Sequence, residues 1–238
     1  MPPILPRSIR VFAALPAAFF IAGCLAAGAS LSGCGTNPYP YRIDGDNDML
    51  AARYQMATEN YTKYLAEKPG EPDVRAKLGL AYLRNNQPIE AIENLRIAGI
   101  QDPESTQYID WLAEAYIAAG RTDEGIRMLR TNTVERGGVA DWLRLGKWAS
   151  KTGDNDTAKL AFVTAAKIDR GATAAPQIAL HDLALRLGDK PEADRRLRMA
   201  FYCDNQDSDV IVRMKAAGVQ GGPGYGFVPA ERLNAGPQ

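Results

Sequence analysis

The most constraining feature of this chain is a pattern of small and large residues that returns after 34 positions. A small residue, a large residue and a proline return together in two successive segments, first as Ala57, Tyr61 and Pro69 and then as Ala91, Leu95 and Pro103. A fixed period of this length is typical of repeat proteins, in which one supersecondary unit stacks on the next. Because no single unit buries its apolar face alone, three or more units must share one continuous core.

Spacing within each repeat predicts helices. Ala76, Leu80 and Leu83 lie three or four positions apart, so they share one face of a helix. Prolines suited to a first helical turn and glycines suited to the turns between helices also occur, namely Pro88 and Pro191 and then Gly120, Gly153 and Gly188. No segment alternates as a strand does, so the fold is predicted to be all-α.

The unit around residue 150 carries the most complete version of the pattern. Its small and large residues stand in a fixed order, at Trp142, Leu145, Gly146, Gly153, Ala158, Phe162 and Ala165. This unit resembles the tetratricopeptide repeat, and the resemblance covers roughly residues 48–205. It implies an α-solenoid of antiparallel helix pairs, about four and a half repeats long. Two units depart from the family pattern, with Gly125 where alanine is usual and His181 where glycine is usual.

The chain divides by composition into four predicted segments. They are an export signal over residues 1–33, a lipidated cysteine with its tether over 34–47, the solenoid with a terminal capping helix over 48–218, and a tail over 219–238. Pro38 and Pro40 predict that no regular helix precedes residue 48, which leaves a half unit at the start. The tail opens with Gly221-Gly222-Pro223-Gly224 and has little to bury, so it is predicted to be disordered.

The first segment has the order of an export signal: positive charge over residues 1–10, an apolar run over 11–31, then small residues. Leu31-Ser32-Gly33-Cys34 resembles the bacterial lipobox, in which cleavage just before a cysteine precedes its lipidation. Ile21-Ala22-Gly23-Cys24 fits the same pattern, so both cysteines stay candidates. We favour Cys34 because polar residues follow it, and Gly35 in place of an aspartate points to the outer membrane.

Composition excludes several classes of function. Lysine plus arginine and aspartate plus glutamate each total 28, so no basic excess suggests nucleic acid. The three cysteines are too few for a disulfide framework and too far apart for a zinc site. Asp44, Asp46 and Asp48 are spaced like the first three ligands of a calcium-binding loop. Met49 stands where that loop requires glycine, so we predict a helix-capping turn instead. We therefore predict no metal, no cofactor and no small-molecule substrate.

Two titratable residues are candidates for a chemical role. His181 stands next to Asp182, but its repeat position favours packing between paired helices, and the nucleophile elbow of a serine hydrolase is absent from the sequence. Cys203 falls at a usually apolar position and is predicted to be a buried, inert thiol. The chain is therefore predicted not to be an enzyme, with an envelope hydrolase using His181 as the rival from another class.

The resemblance implies that the first helix of each unit lines a concave groove for a protein or peptide partner. Carried over position by position, the groove residues are Lys77, Leu80 and Arg84; Asp110, Trp111 and Glu114; Leu143, Arg144, Lys147 and Lys151; and Ile178, Asp182 and Arg186. Ala76 and Leu80 stand where a carboxylate clamp for acidic tails needs polar residues, which argues against that ligand. Trp111 is predicted to be the main groove anchor, with packing between units as the alternative.

A signal, a lipobox and a handful of repeats together predict an envelope lipoprotein that faces the periplasm and acts as an adaptor or scaffold. By analogy with proteins of this layout, assembly of pili or secretion systems is the leading expectation. Adaptors for outer-membrane biogenesis or for peptidoglycan enzymes are the alternatives. The membrane contact would run through the lipid anchor.

Overall fold

The computed structural model describes residues 37–233, and all regular structure in that range is helical. The helices in chain order are α1 (Tyr39–Leu50), α2 (Tyr54–Glu67), α3 (Pro72–Arg84), α4 (Pro88–Gln101), α5 (Thr106–Ala118), α6 (Thr122–Arg136), α7 (Val139–Thr152), α8 (Asn155–Asp169), α9 (Ala175–Arg186), α10 (Lys190–Cys203), α11 (Ser208–Ala216) and α12 (Ala230–Leu233). Each helix packs mainly against its neighbours in sequence, so α1 to α10 form five successive pairs. The predicted export signal and both candidate lipid sites lie outside the described residues.

The two helices of a pair approach closely where a glycine faces a large side chain. A Cβ added to Gly79 would lie 2.6 Å from Leu95 Cγ, and one added to Gly146 would overlap the ring of Phe162. Real Cβ atoms do not reach such distances, so only hydrogen fits at these crossings. The small and large residues of the repeat pattern, such as Gly146 and Phe162, therefore lie where paired helices cross.

The prediction of a half unit at the start is wrong, because α1 and α2 form a complete pair. Pro38 is the residue before the first helical position and Pro40 lies in the first turn, where no backbone N–H needs a helical partner. The prolines thus begin α1 instead of excluding it. Gly45 stands 34 residues before Gly79 and meets Tyr61 as Gly79 meets Leu95. Within residues 37–233 the solenoid therefore has five helix pairs, and the predicted tether over 34–47 is helical from Tyr39 onward.

The acidic residues of this segment lie on α1 and not in a turn, which corrects their predicted capping role. Asp48 is buried and accepts hydrogen bonds from Arg53 at 2.8 Å and from Asn60 at 2.9 Å. Asp46 accepts from the Tyr61 hydroxyl at 2.7 Å. These carboxylates therefore tie α1 to α2.

The apolar core follows the repeat as a series of joined clusters. Tyr82 packs against both the cluster of the first pair and that of the second. Met128 in turn packs against the second cluster and the larger one that spans α5 to α9. Side chains shared in this way make one continuous core, as expected when no unit is stable alone.

The C-terminal end is more ordered than predicted. At the position of the predicted capping helix lies α11, whose N-terminus is capped by Asp207 and whose Val210 and Met214 are buried. Ile211 on the same helix is 48% exposed. Beyond α11, the prediction of disorder is wrong for residues 219–233, which fold back along α10.

Contacts with α10 hold this returning segment in place. Arg198 donates to the Tyr225 carbonyl at 2.8 Å, and its guanidinium lies 3.7 Å from the ring centroid of Phe227. Further along, Glu231 accepts from Arg196 at 3.1 Å and from Gln177 at 3.3 Å. We call residues 219–233 the C-terminal clasp. No helix within residues 37–233 is long and apolar enough to cross a bilayer.

Candidate partner-binding groove

The first helices of the pairs lie side by side, and ion pairs join them in the N-terminal half. Lys77 on α3 contacts Asp46 on α1 at 3.1 Å. Arg84 on α3 contacts Glu114 on α5 at 2.8 Å, and this hydrogen bond raises the pKa of the Arg84 side chain. Three of the predicted groove residues therefore already form ion pairs with neighbouring helices, namely Lys77, Arg84 and Glu114.

Asp110 on α5 is the junction between the third helix pair and the fourth. Its two carboxylate oxygens accept from the indole N–H of Trp148 at 2.8 Å and from Arg144 at 3.4 Å, both on α7. Arg144 also contacts Asp141 at 2.8 Å, and its side chain is largely buried. Asp110 and Arg144 were predicted to face a partner, but the structure uses them to fix the spacing of α5 and α7.

The same kind of contact continues at the C-terminal end. Arg186 on α9 donates to the Ser150 carbonyl on α7 and to Asn155 at 3.2 Å. Asp182 on α9 accepts from Arg213 on α11 at 2.8 and 2.6 Å, and this pairing raises the pKa of the Arg213 side chain. Each first helix from α1 to α9 is thus bridged to the next one along the face by a charged side chain.

Between α7, α9 and α11 the surface opens into a cavity of about 540 Å³. Its lining comprises Leu143, Lys147, Ser150, Phe162, Ala175, Ile178, Ala179, Asp182, Leu183, Arg186, Asp207 and Asp209. Apolar side chains of α7, α8 and α9 form the floor, and charged residues form the rim. A volume of this size lies in the usual range of binding pockets. We call this cavity the C-terminal groove.

Five predicted groove residues are brought together here: Leu143, Lys147, Ile178, Asp182 and Arg186. Of these, Ile178 is buried in the floor and Leu143 is half-buried. Lys147 is exposed, and neighbouring Lys151 lies over the ring of Trp148 at 4.6 Å. The rim therefore carries one lysine from α7, Lys147, together with carboxylates from α9 and from the α11 side.

Trp111 lies apart from this cavity. It is half-buried, stacks on Tyr108 with ring centroids 6.1 Å apart, and packs against the core cluster of the second pair. Leu80 packs partly into the same cluster. These contacts favour the alternative role of Trp111 as a packing residue between units.

The carboxylates of Asp207 and Asp209 at the groove rim were not predicted from the sequence, because they belong to the capping helix and not to a repeat position.

The candidate catalytic side chains have structural contacts. His181 is 4% exposed, and its Nδ1 donates to the Ala193 carbonyl at 2.8 Å, as expected for a residue between paired helices. Asp182 turns instead to Arg213. Burial raises the pKa of the Cys203 thiol to about 11, which keeps it protonated and unreactive at neutral pH. The residues that the structure describes hold no cluster of metal-ligating side chains.

No protein-family model and no curated protein matches the sequence. A crystal structure of MamA protein is similar in fold, with a TM-score of 0.52 and 20% identity, and the match covers 82% of this chain and 100% of that one. TTC0263, a thermophilic TPR protein in Thermus thermophilus, matches with a TM-score of 0.48 and 23% identity over 75% of this chain and 97% of its own. YrrB, described as a TPR protein with an unusual peptide-binding site, matches with a TM-score of 0.46 and 14% identity over 75% and 92%.

The likeness to MamA concerns the fold. Together with the 34-residue period and the glycine crossings, it shows an all-helical solenoid of stacked helix pairs. The C-terminal groove is formed by this chain's own residues on α7, α8 and α9 and at the start of α11.

Proposed function

We propose that this protein is a non-enzymatic scaffold that binds a segment of a partner protein in the C-terminal groove. The observation that carries the proposal is the contrast along one face. On α3 and α5, the charged side chains of Lys77, Arg84 and Glu114 form ion pairs with neighbouring first helices. The groove instead combines an apolar floor with the exposed side chain of Lys147 at its rim. Apolar anchors with a few polar groups are what a peptide or an amphipathic helix needs for docking.

The chemistry of the groove defines the segment that fits it. The floor formed by Leu143, Phe162 and Ile178 accepts one or two aliphatic or aromatic side chains. Lys147 on the α7 side attracts a carboxylate, and Asp207 and Asp209 on the α11 side attract a basic residue. The partner segment therefore carries an apolar anchor between an acidic and a basic residue.

Site-specific crosslinking in cells tests this proposal. A photo-crosslinking residue at position 147 should capture a discrete partner, and Ala179→Trp, which fills the groove, should abolish that capture. The same crosslinker at Lys159, an exposed position on α8, is the matched control and should capture nothing that depends on Ala179. Capture from both positions that Ala179→Trp leaves unchanged would contradict the groove as the binding site.

We further propose that the scaffold is held in the cell envelope by lipid on Cys34. The support is the lipobox-like sequence and the short polar stretch that follows it. Cys34→Ala should prevent labelling by a fatty-acid analogue and leave a longer precursor, whereas Cys24→Ala should be labelled normally. The reverse pattern would assign the lipid to Cys24.

Assembly of a pilus or secretion system is the role we propose for such a scaffold, with outer-membrane biogenesis and peptidoglycan enzymes as alternative pathways. The partner captured at position 147 decides among them. The rival hypothesis of a hydrolase rests on His181, whose ring is buried and whose neighbour Asp182 pairs with Arg213. Hydrolysis of envelope substrates by the purified protein that His181→Ala abolishes would support that rival.

A further inference from the structure

The first helix of the solenoid carries an apolar strip on its outer face. Tyr39, Ile43 and Leu50 are 53%, 60% and 88% exposed. Their spacing of four and seven positions places them on one side of α1. The opposite side is buried, since Gly45 meets the ring of Tyr61 and Asp48 accepts a hydrogen bond from Asn60 on α2. We call these three residues the α1 strip.

Nothing in the repeat architecture requires such a strip. A terminal repeat normally presents a polar outer face to solvent, because no further unit covers it. At the other end of the solenoid, α11 and the C-terminal clasp cover much of the last pair. On α1, the exposed polar neighbours are Asp44 and Asn47, and the largest outward-facing side chains are apolar. Among residues 37–233, the α1 strip is therefore covered only by an edge-on contact of the Tyr39 ring with Tyr64, whose ring centroids lie 6.2 Å apart.

The length of chain before α1 limits what can lie there. Five residue steps separate Cys34 from Tyr39, so a fully extended chain spans at most about 18 Å between them. If Cys34 carries the lipid, as proposed above, α1 must begin within that distance of the acyl chains. The headgroup region of each leaflet is itself about 5–8 Å deep. The start of α1 is thereby confined to the neighbourhood of the membrane surface.

We propose that the α1 strip lies in the interfacial layer of the bilayer and orients the solenoid on the membrane. An interfacial helix buries its apolar face about 5–10 Å deep, which the short tether permits. Tyr39 suits this position because tyrosine is enriched where a membrane meets water. The inference rests on the proposed lipidation of Cys34, since a lipid on Cys24 would leave a tether too long to confine α1.

A second copy of the chain is a poorer occupant. A stable interface buries about 800 Å² on each partner and uses roughly 20–30 residues a side. The α1 strip consists of three side chains on a helix of 12 residues, about 18 Å long. That area suits insertion of a few side chains into lipid, in addition to the anchor, better than a protein dimer.

The test places an environment-sensitive dye on the strip of the full-length, lipidated protein. Leu50→Cys in a Cys203→Ser background is labelled and reconstituted into vesicles of phosphatidylethanolamine and phosphatidylglycerol. Leu160→Cys, on the exposed side of α8, is the matched control for an exposed leucine. Circular dichroism of both labelled variants checks that the helices are retained. We expect a blue-shifted emission that brominated lipid quenches at position 50, and water-like, unquenched emission at position 160.

Each other outcome overturns the inference in a distinguishable way. If the protein carries lipid at Cys34 and sediments with the vesicles, but the dye at position 50 stays water-like, the strip does not enter the membrane although the anchor stands. If Cys34 carries no lipid, the anchor itself is wrong and the inference falls with it. If the blue shift follows protein concentration and not lipid bromination, the strip binds a second copy.

Discussion

The two halves of the face formed by the first helices use equivalent positions in different ways. Lys77 on α3 stands two residues before Gly79, and Ala179 on α9 stands two residues before His181, which holds the equivalent repeat position. Lys77 nevertheless pairs with Asp46, whereas Ala179 lines the C-terminal groove. Arg144 on α7 holds that position as well and is largely buried beside Asp110 and Asp141. In a solenoid, the role of a position thus depends on which charges the adjacent helix offers to it.

The surface is closed in the N-terminal half and open in the C-terminal half because charged side chains of α5 and α11 contact their neighbouring helices differently. Asp110 on α5 draws Arg144 and Trp148 toward it, which closes the surface between α5 and α7. On the other side, Arg213 of α11 binds Asp182 at the edge of α9 and leaves the apolar floor uncovered. We expect the N-terminal half to contribute stability and the C-terminal half to contribute binding.

The largest test of this division compares equivalent glycines in the two halves. Gly146→Leu and Gly79→Leu each force a side chain against a packed residue, and we expect each to cost about 3 kcal/mol. Because a solenoid couples mainly nearest neighbours, partner binding should fall for Gly146→Leu, whose helix lines the groove, and should persist for Gly79→Leu. Thermal melts followed by circular dichroism and a binding titration of both variants measure this.

The control for these variants is Gly99, where an added Cβ meets nothing within 4 Å. Gly99→Ala should stabilise by about 0.5–1 kcal/mol, because alanine loses less backbone entropy in α4. Equal loss of binding for Gly79→Leu and Gly146→Leu would show that the halves do not act separately.

The next largest expected effect is the loss of stability in Trp111→Ala, which tests whether the N-terminal half contributes stability and not binding. Trp111→Ala removes a ring that stacks on Tyr108 and packs against the second pair. Deleting a fully buried aromatic costs about 3–5 kcal/mol, so we expect roughly 2 kcal/mol for this half-buried one. Denaturant unfolding should show the loss, while partner affinity of the folded variant stays within about twofold, far from a hot-spot loss. A stable variant that no longer binds would restore Trp111 as a groove anchor.

Two lysines provide a matched pair with a smaller effect. Lys147→Met at the groove rim should weaken partner binding about tenfold, or about 1.4 kcal/mol, because it removes the exposed charge from α7. Lys77→Met removes the same charge from α3, where it pairs with Asp46 and Asp73. Isothermal titration should find the affinity of the Lys77→Met variant for the partner unchanged. Weaker binding for Lys77→Met would extend the groove into the N-terminal half.

The smallest expected effect is a pH dependence confined to the C-terminal clasp. Burial opposes ionisation of Glu231, but hydrogen bonds from its own backbone, Arg196 and Gln177 outweigh it and lower its pKa. A lowered pKa means that this stabilisation is present at neutral pH. It is lost as the pH falls below about 4.3, the usual value for glutamate, toward the folded-state pKa.

Limited proteolysis between Gly221 and Gly224 measures release of the clasp. Cleavage in the wild type should rise on acidification while the N-terminal half stays intact, and Glu231→Gln should be cleaved readily at neutral pH as well. Cleavage of Glu231→Gln that still depends on pH in the same range would assign the titration to another group.

Much of the solenoid could be predicted from the sequence because its repeat places a small residue against a large one at most of its helix crossings, His181 being the exception in the last pair. The crossing of Gly146 with Phe162 is the clearest case. The first helix of the first pair was missed although Gly45 stands 34 residues before Gly79, because Pro38 and Pro40 were interpreted as helix breakers. Proline breaks a helix only beyond its first turn, so the position of a proline matters more than its presence.

The clasp and the groove were harder to predict for different reasons. Few apolar residues follow Gly221, so composition indicated disorder, whereas Pro229 is fully buried and Glu231 pairs with Arg196. Contacts of this kind join residues far apart in sequence and leave no local pattern. The same holds for Arg144 and Asp110, since a repeat position identifies the helix face but not the charge across from it.

The clasp also sets the order in which the molecule can acquire its structure. Helices α1 to α10 contact mainly their neighbours along the chain, and chains with such local contacts fold fast and can fold from the N-terminus onward. The bond between Gln177 and Glu231 spans 54 residues and forms only after nearly the whole chain is available. We therefore expect closure of the clasp to be the last step of folding, and a chain truncated before residue 219 should form its helices but lack this step.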